Sequence, residues 1–212
     1  MSIEARTYER GECIVFRKTA ERFGGLSNMA PGFPLMVNGV AIATAEALYQ
    51  ACRFPHMPDV QQLIIHQRSP MTAKMKSKPY RERSRQDWDR LRTKVMRWVL
   101  RVKLVQNWQG FATLLLDTGS HPIVEDSRRD DFWGAIAEGT HTLVGRNVLG
   151  RLLMEVREQV RSCPREHWHL IRPPNIDNFL LFGQEIEPVS GIETDLHQVE
   201  AVRDQGRGAL RF

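Results

Sequence analysis

The sequence predicts an α+β fold, mainly α, and three observations carry that reading. Trp88, Leu91, Val95, Trp98, Val102 and Val105 recur at three- and four-residue steps, the core stripe of a long helix over about 86–108. Val148, Leu149, Leu152, Leu153, Val156 and Val160 repeat that period in a second helix, opening near residue 145. The strand signals at 13–16, 35–42 and 122–125 are short and predict only a small hairpin and sheet element.

The chain begins with the strand at 13–16. A glycine-rich loop follows, Phe23-Gly24-Gly25-Leu26-Ser27-Asn28-Met29-Ala30-Pro31-Gly32, in which backbone can approach a ligand closely. It matches neither a P-loop nor a dinucleotide fingerprint, and a purely structural loop is an equal reading. Asn38-Gly39 signals a turn joining Met36 and Val37 to Val40–Ile42 as a hairpin. Thr44 can cap a helix that Pro55 stops. Residues 59–67 read as helix, with Val60, Leu63 and Ile64 on one face. Ser69-Pro70 restarts a helix, with Ser as cap and Pro at the first position. The basic run Lys74, Lys76, Lys78, Arg81, Arg83, Arg85 follows, partly loop, and reads either as solvated surface or as contact with phosphates.

After the long helix, 111–116 forms a short helix ended near Gly119. The strand at 122–125 delivers the chain to Asp126-Ser127-Arg128-Arg129-Asp130-Asp131-Phe132-Trp133-Gly134. From Cys163 onward, Pro164, Pro173, Pro174 and Pro188 break the chain into short pieces. Residues 1–163 are therefore expected to form one domain. Residues 164–212 form an extension in which 179–182 and 189–192 pack back, with weak order after about 195.

Composition narrows the function classes. The net charge is +5 and the sequence pI about 9.4, a mild argument for nucleic acid, nucleotides or phosphorylated sugars as partners. No apolar run is long enough to span a bilayer, and Met1 to Arg10 is too polar for a secretory signal. Cys13, Cys52 and Cys163 are odd in number and far apart, so they read as free thiols in a reducing cytoplasm. There is no G-x-S-x-G, H-E-x-x-H or C-x-x-C, and His167 and His169 flank Trp168 without a third ligand nearby. No metal and no cofactor are expected.

The chemistry concentrates in a few places. Glu46, Tyr49, Gln50 and Arg53 stand at i, i+3, i+4 and i+7 and share one helical stripe, opposite Leu48, Ala51 and Cys52. That stripe is either a solvated face or a site for a sugar- or phosphate-bearing ligand. Around residue 130, carboxylates adjoin Phe132 and Trp133, and carboxylates that differ in burial can divide acid and base roles. Lys103 lies among Val102, Leu104, Met96, Val99 and Leu100, where it is either a desolvated, nucleophilic amine or a snorkelling lysine. Asn147 stands at an N-cap position, and the helix terminus it caps would suit a phosphate.

With these residues in order, the chain resembles the NADAR family, domains associated with NAD and ADP-ribose metabolism. The matching pieces are Leu26-Ser27-Asn28, Thr44 through Gln50, Ser69-Pro70-Met71, Trp88, Val95-Met96-Arg97 and Val102-Lys103-Leu104. Ile123-Val124-Glu125, Asp130 through Gly134 and Gly145 through Met154 complete the set, over roughly residues 12–161. The resemblance implies a compact, mainly helical α+β domain with N-glycosidase activity. In the better-known branch, which cleaves ribosylamino pyrimidine intermediates of riboflavin synthesis, a histidine follows the helix glutamate and a lysine ends that helix. That branch also carries an acidic, glycine-rich stretch after the Trp-Gly pair. Here Ala47, Arg53 and Ala135-Ile136-Ala137 stand instead. The chain is more similar to members that accompany DNA-modifying ADP-ribosyltransferase toxins and remove ADP-ribose from guanine.

The resemblance implies ADP-ribosylated guanine in DNA, RNA or a nucleotide as partner, functional pairing with such a toxin, and a cytoplasmic, non-membrane setting. The alternatives are the riboflavin-pathway activity and a non-catalytic ADP-ribose or nucleic-acid binder. Cleaving a ribose–nitrogen bond develops positive charge at the anomeric carbon, which a carboxylate can stabilise while a second acid protonates the departing base. Glu46 is the expected first carboxylate, and Asp130 the leading second, with Glu125 and Asp131 behind it. Lys103 offers a separate route, attack on the anomeric carbon to give an imine. Trp133 would stack on the base or line the sugar, and Arg53, Lys74, Lys76 and Asn147 would hold ribose and diphosphate. Asn28, Tyr49, Asp131 and Gly134 complete the expected binding set.

Overall fold

The computed structural model describes residues 4–191. The expectations for Ile192 and for weak order after about 195 lie outside the described residues. The elements in chain order are β1 (Arg6–Glu9), β2 (Ile14–Phe16), β3 (Leu35–Val37), β4 (Val40–Ile42), α1 (Ala45–Ala51), α2 (Pro58–Ile65) and α3 (Pro70–Ser77). Then come a 3₁₀ turn at Lys78–Arg83, α4 (Trp88–Gln106), α5 (Trp108–Leu116), β5 (Ile123–Glu125), β6 (Ile136–Glu138), β7 (Thr142–Gly145) and α6 (Val148–Ser162). Two-residue strands follow: β8 (Leu170–Ile171), β9 (Leu180–Leu181), β10 (Gln184–Glu185) and β11 (Val189–Ser190). The fold is α+β and mainly helical.

Helix α4 is the central element. Its Val95, Val99, Leu100, Val102 and Leu104 are fully buried, and it packs against α1, α5 and α6. An apolar stripe of this period is driven into the core by burial worth about 1.5–3 kcal/mol per large side chain. β2 pairs in parallel with β5, with Ile14 opposite Ile123. β3 and β4 form the expected hairpin, turning through Asn38 (φ 49°) and Gly39 (φ 72°), the left-handed pair that a tight two-residue turn requires.

A three-stranded antiparallel sheet, in the order β1-β7-β6, was not legible in the sequence. In β1 only Tyr8 is buried, and no residue of β6 is, so neither strand carries an apolar alternation to read. Helix α6 starts at Val148 rather than near 145, because Asn147 is left-handed (φ 46°) and Gly145 still belongs to β7. The described part of the extension lies against the helical body. Gln61 Nε2 donates to Leu180 O (2.9 Å), and Phe179 packs edge-on against Trp98 at 5.1 Å. Among the described residues no helix is long and apolar enough to cross a membrane.

Candidate active site

Helix α1 is buried on every side, so its polar stripe is not a solvated face. Thr44 caps it, accepting from the Ala47 N–H, and the Glu46 N–H donates to Asn28 O (3.1 Å), which ties the helix start to the glycine-rich loop. The stripe opens into a cleft of about 320 Å³. It is lined by Glu46, Tyr49, Gln50 and Arg53, by Ser27 and Asn28 of the glycine-rich loop, by Lys74 and Arg81, and by Trp88, Asp89 and Arg92 of α4. Glu125, Ser127, Asp130 and Trp133 also line it.

Each carboxylate is held by its own local structure. Glu46 Oε1 accepts from Gln50 Nε2 (2.9 Å), and Gln50 Oε1 accepts from Ser77 Oγ (2.9 Å). Glu125 ends β5. Its carbonyl accepts from the Ala135 N–H (2.8 Å), and its own N–H donates to Asn147 Oδ1 (3.2 Å). Asp130 sits in a tight turn in which Oδ1 accepts from the N–H groups of both Phe132 (3.0 Å) and Trp133 (2.9 Å).

Burial raises both glutamates. Burial pushes Glu125 up to about 7, and the charges of Asp130 and Glu46 add to the shift. Glu46 is raised too, first by burial, with Lys74 and the Gln50 amide acting against it. A carboxyl that titrates near neutrality is suited to proton transfer. Asp130, expected to lead as the second acid, lines the cleft with its Oδ1 held by two backbone donors, and Glu125 lines the cleft as well.

An aromatic wall flanks the carboxylates. Tyr49 meets Trp133 edge-on at 5.6 Å and Trp88 at 5.1 Å. Burial, then the Glu46 charge, pushes the Tyr49 hydroxyl well above its usual range, so it stays a neutral donor.

Several of the expected site residues lie outside the cleft lining. Lys103 is fully buried and lies outside the cleft lining. Its Nζ donates to Gly25 O (2.6 Å) and Ser27 O (3.0 Å) and lies 4.3 Å from the Phe111 ring centroid and 4.5 Å from that of Phe33. Desolvation lowers it to about 7, and its two carbonyl contacts tie it to the loop carrying Asn28. Lys76 is exposed and does not line the cleft. Asp131 points away into an ion pair with Arg146 (3.2 Å). Gly134 is a packing glycine: a Cβ there would stand 2.5 Å from Glu125 O. Asn147 is buried and spans the chain behind β5, donating to Ile123 O (2.8 Å). It makes no side-chain cap, and the first N–H groups of α6 are taken by Phe132 O (2.9 Å) and Trp133 O (3.0 Å), so no phosphate site remains at that terminus.

Glu46, Glu125, Asp130, Asn28, Tyr49, Arg53, Lys74 and Trp133 are thus brought together. Asp89, Arg92 and Ser127 line the cleft without having been singled out, and of the basic run Lys74 and Arg81 line it. The available signal was in α4, where Trp88 and Arg92 stand at i, i+4; the apolar stripe obscured it.

Residues 15–161 match the NADAR domain family. The chain belongs to the NADAR family. Among NADAR relatives, a riboflavin biosynthesis protein of Vibrio vulnificus is 35% identical over 149 residues, covering 70% of this chain and 39% of that protein's length. The N-glycosidase YbiA of Escherichia coli is 35% identical over 147 residues, covering 69% of this chain and 88% of YbiA. The solved structure of E. coli YbiA superposes with a TM-score of 0.59 at 30% identity, covering 76% of this chain and 94% of that one. The NADAR match contains every cleft residue named above, from Ser27 to Trp133.

Proposed function

We propose that the protein is an N-glycosidase that hydrolyses the bond between ribose and guanine in ADP-ribosylated guanine carried by nucleic acid, reversing a toxin-type modification. One observation carries the glycosidase reading: two glutamates from different elements, the buried Glu46 and the half-buried Glu125, share one cleft, and the Glu125 carboxyl is pushed up to about 7. The relative named N-glycosidase YbiA supports the same chemistry. In this mechanism the Glu125 carboxyl gives its proton to the departing base nitrogen as the C1–N bond breaks. Glu46 faces the positive charge at the anomeric carbon and takes a proton from the water that adds there. Passing that proton from Glu46 back to Glu125 restores the enzyme. Asp130 accepts from ribose hydroxyls, and Trp133 lies against the base.

The guanine substrate rests on Ala47, Arg53 and Ala135-Ile136-Ala137, where the chain departs from the riboflavin-type pattern. A second reading, cleavage of ribosylamino pyrimidine phosphates, draws on the Vibrio relative's name. Incubation with an oligonucleotide bearing ADP-ribosyl guanine, and separately with the ribosylamino phosphates, decides between them by the base and sugar released. Turnover of the first alone supports the proposal; turnover of the second alone supports the alternative. Ligand binding without product from either, unaltered in Glu46→Gln, would leave a non-catalytic binder.

A further inference from the structure

We propose that the outer face of α3 docks nucleic acid, with Met71 and Met75 filling the gap in the base stack that opens when the modified guanine enters the cleft. The inference rests on the nucleic-acid reading of the substrate and concerns side chains outside the cleft lining.

Helix α3 has two opposite faces. Ala73 and Ser77 are buried, and Ser77 Oγ donates to Gln50 Oε1 (2.9 Å), so that side is fixed to α1. Met71, Lys74, Met75 and Lys78 recur at three- and four-residue steps on the other side, and all four are exposed. Met71 is 57% and Met75 64% exposed, the two highest values among large apolar side chains of the described residues. A single exposed methionine needs no explanation. Two side by side, one turn apart and between lysines, form an apolar strip with a cationic border.

The border selects the partner. From Arg68 to Arg83, six basic residues stand against one acid, Glu82. Among the described residues none of Lys74, Lys76 and Lys78 forms an ion pair. A polyanion answers such a run. Lys74 makes this face continuous with the cleft: it lines the cleft, and its charge acts on both Glu46 and Glu125. Whatever docks on α3 is therefore contiguous with the group being cleaved, which favours the strand carrying the modification over a lipid surface.

The depth of the cleft gives the methionines a task. Glu46 is only 6% exposed, so the anomeric carbon it faces must be brought in to meet it. The guanine is bonded to that carbon and follows, and a base drawn out in this way leaves its stack. The bases beside it then present bare apolar faces. Methionine is unbranched and adapts to irregular gaps. Apolar wedges, methionine among them, occupy unstacked steps where proteins deform nucleic acid. Lys78, on the same face, is left for a flanking phosphate.

A DNA duplex with a fluorescent purine, quenched by stacking, beside ADP-ribosyl guanine tests this on the full chain. Binding should raise the emission. In the double variant Met71→Ser, Met75→Ser the rise should be lost and KM for this duplex should increase by about tenfold. Lys78→Ala should also raise KM and lower the slope of log affinity against log salt by about one. Neither change should alter turnover of the nucleoside ADP-ribosyl guanosine, which has no neighbouring bases. All three side chains are exposed, so folding is not at stake. Unchanged duplex KM in both variants, or an equal loss on the nucleoside, overturns the docking face. So does binding to phosphatidylserine vesicles that the variants lose while duplex binding stays intact. An unmodified duplex with an abasic site offers the same gap without ADP-ribose, and so separates the two proposals. Preference for it over the intact duplex, lost in the methionine variant of a protein that hydrolyses no ADP-ribosyl guanine, upholds the docking face and sinks the substrate. Hydrolysis of the modified duplex by both variants at unchanged KM does the reverse.

Discussion

Gln50 holds Glu46 by one oxygen, with Nε2 2.9 Å from Oε1, and leaves Oε2 for a ligand. The contact belongs to a relay, since Ser77 at the end of α3 donates in turn to Gln50. The orientation of the Gln50 amide is thereby set from outside α1, and the carboxylate is aimed before substrate arrives. Glu46→Gln should lower kcat by about 10²–10⁴-fold, the usual range for a positioned proton-transfer group. Gln50→Met should lower kcat by about tenfold, because it frees the Glu46 carboxylate that Gln50 holds. Steady-state kinetics of both variants checks this. A Gln50→Met enzyme with intact kcat would show that the relay aims nothing.

The raised titration of Glu125 has two consequences of known sign. As the proton donor it must be protonated, so kcat/KM should fall as pH rises through about 7, and Glu125→Gln should abolish that limb along with most of the rate. In stability, the folded state keeps a proton that the unfolded chain loses at its ordinary value of 4.5. Between these two values the native state binds more protons than the unfolded state, so stability declines as pH rises from about 4.5 to about 7. Chemical denaturation across this range should show the decline in the wild type and a flatter profile in Glu125→Gln. An alkaline limb that persists in Glu125→Gln would assign the proton to another group.

How far the sequence could be read follows from where periodic burial operates. Helix α4 and the Asn38-Gly39 hairpin were legible because each answers to one local rule, an apolar stripe and a left-handed turn. The Glu46 stripe was legible as a stripe, but its burial was not, since that depends on how α2, α3 and α4 pack around α1. For Lys103 the sequence left a desolvated amine and a snorkelling lysine open; the side chain is fully buried, and sequence spacing does not say which carbonyls receive its ammonium. Asn147 stood at the right residue for a cap and serves a strand instead, because its left-handed backbone turns the side chain toward Ile123. Arg92 was obscured by sharing a helix with a core stripe.

Because Lys103 Nζ is spent on Gly25 O and Ser27 O and enclosed by Phe33 and Phe111, no imine with substrate should form. Borohydride added during turnover should leave the protein mass unchanged. A substrate-derived adduct mapped to Lys103 would mean that the loop at 25–28 opens during catalysis and exposes the amine.

Positioning of Glu125 depends on two residues that touch no ligand. Asn147 fastens both ends of β5, donating to Ile123 O (2.8 Å) and accepting from the Glu125 N–H (3.2 Å). Gly134 lets the neighbouring chain approach so closely that a methyl group would stand 2.5 Å from Glu125 O, a backbone atom with nowhere to retreat. Asn147→Ala leaves buried backbone groups unpaired at about 1–3 kcal/mol each. Gly134→Ala forces the 125–127 segment outward, a clash of the overpacking kind that costs about 1–3 kcal/mol. Both should lower Tm and reduce kcat together, whereas Asp131→Asn, which breaks only an exposed ion pair with Arg146, should leave both nearly unchanged. Thermal melts paired with turnover check the set. A Gly134→Ala protein with wild-type Tm and kcat would show that Glu125 is positioned from elsewhere.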